Sequence, residues 1–117
     1  MNFHSLNLEI PSESERYSKL LDLCFIGEKP GHYLDDFPIW ADSSGGKSHN
    51  VYKVGAFAGD KLISTAGIRF ANLLGSTGAP MSVGIIGAVA THPAFRGRGL
   101  ASELIDELVS AATLQGC

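Results

Sequence analysis

Val89-Ala90-Thr91-His92-Pro93-Ala94-Phe95-Arg96-Gly97-Arg98-Gly99-Leu100-Ala101-Ser102 is the stretch that decides how this chain folds. Upstream, Met81 to Thr91 is a run of small and β-branched apolar residues without a single charge, the pattern of a strand that can be buried on both faces. Downstream, Leu100, Leu104, Leu108 and Ala111 share one helical stripe with Ala101, Ile105 and Ala112 beside it, until Gly116 offers a stop. The stretch therefore joins a strand to a helix that opens at about Gly99. Two glycines allow the backbone of the turn to approach a ligand closely, and the first turn of the helix leaves several N–H groups without internal partners. The helix dipole adds about half a positive charge at that end. Arg96 and Arg98 are the only Lys or Arg residues after Arg69. A di- or polyphosphate is the natural guest of such a turn.

Spacing separates the phosphate loops that this turn could represent. A dinucleotide-binding fingerprint needs Gly or Ala three residues after Gly99, where Ser102 stands, and Pro93 interrupts the strand-to-loop passage. No Gly-Lys-Ser/Thr closes the turn as a P-loop requires. Gly46-Lys47-Ser48 supplies that tripeptide elsewhere, but Ala41 stands where the leading glycine belongs and no apolar strand precedes it, so it reads as a solvated linker. What remains is Arg/Gln-x-x-Gly-x-Gly/Ala, met by Arg96, Gly99 and Ala101. With the charge-free strand, the His92-Pro93 step and the amphipathic helix in order, residues 81–116 resemble motif A of the GNAT superfamily of acyl-CoA-dependent N-acetyltransferases.

The resemblance implies an α/β fold with a mixed sheet flanked by helices, and acetyl-CoA as co-substrate. It implies that the backbone of Val89, Ala90 and Thr91 pairs with the pantetheine amides like an added strand. The loop from Arg96 through Gly97, Arg98, Gly99, Leu100 and Ala101 to Ser102 would take the pyrophosphate, largely through main-chain N–H groups. An amine acceptor, small molecule or peptide, would attack the thioester carbonyl directly, and the CoA thiolate would leave protonated. Relatives often carry a carboxylate on the strand before the motif as the base. Met81 to Thr91 has none, so no catalytic residue is assigned. The family usually continues past the motif helix with further strands and a helix that often bears an acidic tyrosine. The expectation here is a single domain over residues 1–117 that lacks those C-terminal elements, with the 81–91 strand left as a sheet edge through which two copies could pair. A non-catalytic acyl-CoA-binding or interaction module is the alternative reading.

Outward from the motif, the chain is punctuated clearly. Leu6, Leu8 and Ile10 alternate with Asn7 and Glu9 as a first strand closed by Pro11. Ser12 and Glu15 have capping-box spacing, and Tyr17, Leu20, Leu21, Cys24 and Phe25 predict a helix over about 13–25. Turn-forming composition over 26–50 leaves a short helical piece near Tyr33–Trp40 and then a loop. Val51–Ala58 and Lys61 to about Leu73 predict a hairpin around Gly59-Asp60. Asp35 and Asp36, with Tyr33, Phe37 and Trp40, fall where relatives place acceptor contacts, although aromatics in the core with acids facing water is the simpler use.

Composition sets the outer bounds. A chain of 117 residues supports one domain, and 44% apolar with 18% charged residues is a globular balance. Nine Lys+Arg against twelve Asp+Glu, net −3, argue against a broad electrostatic grip on nucleic acid or an anionic membrane. No stretch reaches the roughly 18 apolar residues of a membrane span, and Met1 to Ser5 lacks the features of a secretory signal. Two cysteines, Cys24 and Cys117, make neither a disulfide framework nor a metal cage, so a reducing cytoplasm and no metal are expected. Cys24 reads as core and His92 as structural or peripheral. Glu103, Asp106 and Glu107 read as a solvated face near the positive end of the last helix.

Overall fold

The computed structural model describes residues 2–27, 29–41, 51–74, 78–114 and 116. The 42–48 loop of the sequence reading, with Gly46-Lys47-Ser48, lies outside the described residues, as does Cys117. Four strands, β1 (Asn2–Ser5), β2 (Val51–Ala58), β3 (Lys61–Leu74) and β4 (Pro80–Thr91), form one sheet in the order β1-β2-β3-β4. All three pairings are antiparallel, so the described sheet is antiparallel rather than mixed. Helices α1 (Pro11–Leu21) and α2 (Tyr33–Asp36) lie in the first half of the chain, and α3 (Leu100–Leu114) follows β4.

The strands alternate between two apolar layers. Val51 and Leu62 join Tyr17, Leu20 and Leu21 of α1 and Trp40 in one cluster. Tyr52, Val54, Ile63 and Ile68 join Leu100, Leu104 and Leu108 of α3 in the other. Each fully hidden leucine of this kind contributes about 1.5–3 kcal/mol relative to exposure, and Leu21 and Leu108 are both 0% exposed. The β2–β3 hairpin turns at Gly59-Asp60, with Ala58 opposite Lys61. Only Gly59 takes a positive φ, 62°, as the first position of a II′ turn requires.

Four sequence expectations are corrected. The first strand is Asn2–Ser5 and not Leu6–Ile10. Leu6 and Leu8 are buried as their alternation predicts, but Asn7 folds the segment into a turn: its Oδ1 accepts from the Glu9 N–H at 3.0 Å and its carbonyl from the Ile10 N–H at 3.1 Å. Pro11 does not close a strand but opens α1, where its missing N–H costs nothing; Ile10 is the N-cap and Ser12 forms no capping box. The helix predicted to Phe25 ends as an α-helix at Leu21 and continues as a π-helical turn over Asp22–Ile26. That turn is closed by the Gly27 N–H on the Asp22 carbonyl at 2.9 Å. Finally, β4 is not buried on both faces. Ala88 and Ala90 are buried, whereas Met81, Ile85 and Ile86 are 55%, 46% and 38% exposed. Among the described strands β4 stands at the sheet edge, as expected.

Trp40 explains two glycines. Gly67 and Gly87 face each other across β3 and β4. A Cβ added at either would lie 2.8 Å and 2.5 Å, respectively, from carbons of the Trp40 ring. The indole therefore rests on bare backbone, and Tyr17 fixes it by donating its hydroxyl to the Trp40 carbonyl at 2.9 Å. Burial pushes the Tyr17 phenol far above its ordinary pKa, so it stays a donor.

Candidate functional site

The end of β4 is shaped by a bulge. Thr65 pairs with Ala90 and Gly67 with Gly87, so Ala88 and Val89 together oppose Ala66. Ala88 takes φ 51°, the described residues' only positive φ outside glycine. Such a bulge bends the strand and increases its twist, which turns Val89, Ala90 and Thr91 toward the helix that follows. Ser64 holds the bent end by donating its hydroxyl to the Ala90 carbonyl at 3.1 Å. The His92 N–H extends the ladder to the Ile63 carbonyl at 2.7 Å.

Past the strand, His92 Nδ1 accepts from the Ala94 N–H at 3.1 Å and caps the short 3₁₀ turn Pro93–Phe95, the structural use expected of it. Gly97 and Gly99 then take φ values of 81° and 75°, which only glycine adopts without strain. The first helical bond of α3 runs from the Glu103 N–H to the Gly99 carbonyl at 3.1 Å. Among the described residues, no protein atom accepts from the N–H groups of Gly97, Arg98, Gly99, Leu100, Ala101 or Ser102. A Cβ added at Gly99 would meet nothing within 4 Å. The mouth of a 15-residue helix thus presents free donors and open space together.

These groups line one cleft of about 420 Å³. Nine of the ten residues singled out from sequence border it: Val89, Ala90, Thr91, Arg96, Gly97, Gly99, Leu100, Ala101 and Ser102. Arg98 does not. Its guanidinium sits 5.1 Å from the centre of the Phe95 ring, a cation–π contact beside the cleft. Arg96 also has a local partner, donating from Nε to the Thr91 carbonyl at 3.1 Å.

Cys24, which packs against the core as its place on the apolar stripe implies, and Phe25 form the other wall. The π-helical turn brings them there, and Cys24 Sγ donates to the Thr91 carbonyl at 3.4 Å. That carbonyl thus accepts twice, from Cys24 and Arg96. Phe25 stacks on Tyr33 with centroids 4.6 Å apart, and Tyr33 on Phe37 at 4.8 Å. Phe37, Asp35 and Asp36 are exposed while Trp40 is buried. No carboxylate or imidazole is among the described residues that line the cleft. No group of three or more His, Cys, Asp or Glu among the described residues could hold a metal ion. No described helix is long and apolar enough to cross a membrane.

With α1 packed on one face of the four-stranded sheet and α3 on the other, and a bulged strand feeding a glycine turn and a long helix, the chain has a three-layer α/β fold. The sequence profile of the acetyltransferase (GNAT) family matches residues 14–117, and the chain belongs to that family. A predicted acetyltransferase of Clostridium acetobutylicum, solved with acetyl-CoA, superposes with a TM-score of 0.68 at 22% identity, covering 97% of this chain and 74% of that one. The aminoglycoside 6'-N-acetyltransferase of Acinetobacter haemolyticus gives 0.71 at 15% identity, covering 100% and 74%. The ribosomal-protein-alanine N-acetyltransferase of Brucella melitensis gives 0.66 at 21%, covering 97% and 72%. This chain thus spans about three-quarters of these neighbours, which share its fold. No curated protein sequence matches it.

Proposed function

We propose that the cleft binds acetyl-CoA or a related acyl-CoA and that the chain serves transfer of the acyl group to an amine. The observation that carries this reading is the set of uncommitted N–H groups from Gly97 to Ser102 at the mouth of α3. They suit a diphosphate, with Arg96 adding positive charge and Ser102 a hydroxyl. Gly97 and Gly99 keep the surface free of side chains. Val89, Ala90 and Thr91 supply backbone to an extended ligand beside the bulge, with the Ala90 carbonyl already accepting from Ser64 and the Thr91 carbonyl from Cys24 and Arg96. The thioester supplies an activated carbonyl. The acceptor must lose a proton, its nitrogen forms a bond to the acyl carbon as the C–S bond breaks, and the released thiolate takes up a proton. The acceptor is an amine on a small molecule or a peptide. A reducing cytoplasm, in which Cys24 stays a thiol, suits this chemistry.

The absence of a carboxylate or imidazole from the described lining favours a second reading, an acyl-CoA-binding module without turnover. Calorimetric titration with CoA tests the site, and thiol release from acetyl-CoA over a panel of amines tests transfer. Binding with thiol release above background supports the transferase; binding without it supports the module; no binding overturns both. The outer edge of β4, without charge and without a partner among the described strands, also suits pairing with a second copy. Light scattering should then show concentration-dependent association that Ile85→Lys suppresses, and a monodisperse monomer at high concentration would contradict it.

A further inference from the structure

The cleft has a wall that its glycine loop does not supply. Cys24 and Phe25 belong to the π-helical turn, and such turns are rare and recur at functional sites. Asp22, the first residue of that turn, provides three acceptors at once. Its carbonyl receives the Gly27 N–H at 2.9 Å, Oδ1 receives the Tyr33 N–H at 2.8 Å, and Oδ2 lies 2.7 Å from His32 Nδ1. Both ends of the connection from α1 to α2 are thereby tied to one residue, the near end through its carbonyl and the far end through its carboxylate. The Tyr33 ring whose backbone is held in this way stacks on Phe25 at 4.6 Å. Phe25 is 46% exposed, so little else fixes it.

We infer that Asp22 is a positioning residue for the cleft: by fixing Tyr33 it holds Phe25 and Cys24 as the wall beside the end of β4. The inference rests on reading the cleft as the CoA site, and it names a residue that touches no ligand. Its direct partners are His32 and the Tyr33 backbone, not the phosphate loop.

Two measurements on the full chain separate this inference from the reading beneath it. In a Cys117→Ser background Cys24 is the single thiol, and its alkylation rate reports how tightly the wall is shut without any ligand. Asp22→Ala should accelerate alkylation several-fold, because the exposure of a held side chain follows the local opening equilibrium. The same variant should weaken CoA binding in calorimetry by about tenfold, the scale set by losing a hydrogen bond to a charged group. Asp22→Asn retains an oxygen for the Tyr33 N–H and should recover most of both effects, a rescue that general destabilisation does not predict. An alkylation rate unchanged in Asp22→Ala, or an Asn variant as impaired as the Ala variant, overturns the inference. If the parent chain binds no CoA, the site reading falls while the alkylation rates still decide the clamp. Should Asp22→Ala fail to fold, Asp22→Ser, whose shorter side chain does not reach the Tyr33 N–H, takes its place; it should still accelerate alkylation, and an unchanged rate overturns the inference equally.

Discussion

Replacing Ala101 by glutamate separates ligand binding from folding more cleanly than any change at the glycines. Ala101 is the second residue of α3 and borders the cleft. A carboxylate there lies within the positive end of the helix dipole, a placement that stabilises exposed helices by about 0.3–1 kcal/mol. The gain offsets the few tenths of a kcal/mol by which Glu trails Ala in helix propensity, so the melting temperature should stay close to the parent's. A bound diphosphate would feel the reverse. Two unit charges about 5 Å apart repel by ~0.8 kcal/mol in water and ~3 kcal/mol at an effective dielectric of about 20. At about 1.4 kcal/mol per tenfold, one such pair weakens CoA binding by roughly 4-fold to over 100-fold. Calorimetric titration at low and high salt measures it, and the deficit should shrink as salt screens the repulsion. Ala101→Gln adds nearly the same bulk without charge and should lose much less. CoA affinity within about twofold of the parent in a folded Ala101→Glu chain would refute the placement of the diphosphate at this helix mouth.

Three further outcomes follow from the packing. Gly87→Val puts side-chain atoms where the Trp40 ring lies, since even a Cβ would come within 2.5 Å of it; a cost of about 1–3 kcal/mol should lower the melting temperature and red-shift the fluorescence of the chain's single tryptophan. Ala88 and Ala90 are both buried on β4, but only Ala88 has a positive φ: Ala90→Gly should cost about 1 kcal/mol in denaturant unfolding, and Ala88→Gly close to nothing, because relief of roughly 1 kcal/mol of left-handed strain offsets the lost methyl group. The hydrogen bond to Asp22 and that carboxylate's charge raise the His32 pKa above its ordinary 6.5, with Asp35 adding to the effect and Lys19, Glu15 and Glu9 lining the same hollow. Because the folded value is the higher one, this contribution to stability is complete below about pH 6.5 and is lost as pH rises through the folded value; NMR titration of the ring should show the raised midpoint and its return toward 6.5 in Asp22→Asn.

Where the sequence was legible, the signal was local and strongly periodic. The strand, glycine turn and helix from Met81 onward declare themselves because Leu100, Leu104 and Leu108 keep a helical repeat right up to the paired glycines. The β2–β3 hairpin follows from Gly59-Asp60 for the same reason. The position of β1 is hard to read because all four side chains of Asn2–Ser5 are exposed, leaving no apolar alternation, and its ring contact, His4 on Phe57 at 4.4 Å, joins residues more than fifty apart. The apolar run of β4 implied two covered faces, yet hydropathy does not tell an edge strand from an inner one. The seat of Trp40 on Gly67 and Gly87 depends on a register between strands twenty residues apart, which no single window contains.

The site divides along the same line. Its anion-binding half is written in a few consecutive residues, since free N–H groups at a helix start need only glycines of positive φ and a helix behind them. Its second wall is written in how α1 ends. A regular helix through Phe25 would keep Tyr17, Leu21, Cys24 and Phe25 on one stripe, and Cys24 does pack against the core cluster of α1 as that stripe implies. The π-helical turn breaks the stripe after Leu21: Tyr17 and Leu21 stay buried at 1% and 0% exposure, while Cys24 reaches the Thr91 carbonyl and Phe25 is 46% exposed. At that break stands Asp22, whose carboxylate bonds to His32 and to the Tyr33 N–H. On the inference drawn above, a polar residue at the end of α1, ten and eleven residues from its two partners, sets how Phe25 faces the cleft, while Cys24 both packs against the core and lines the cleft.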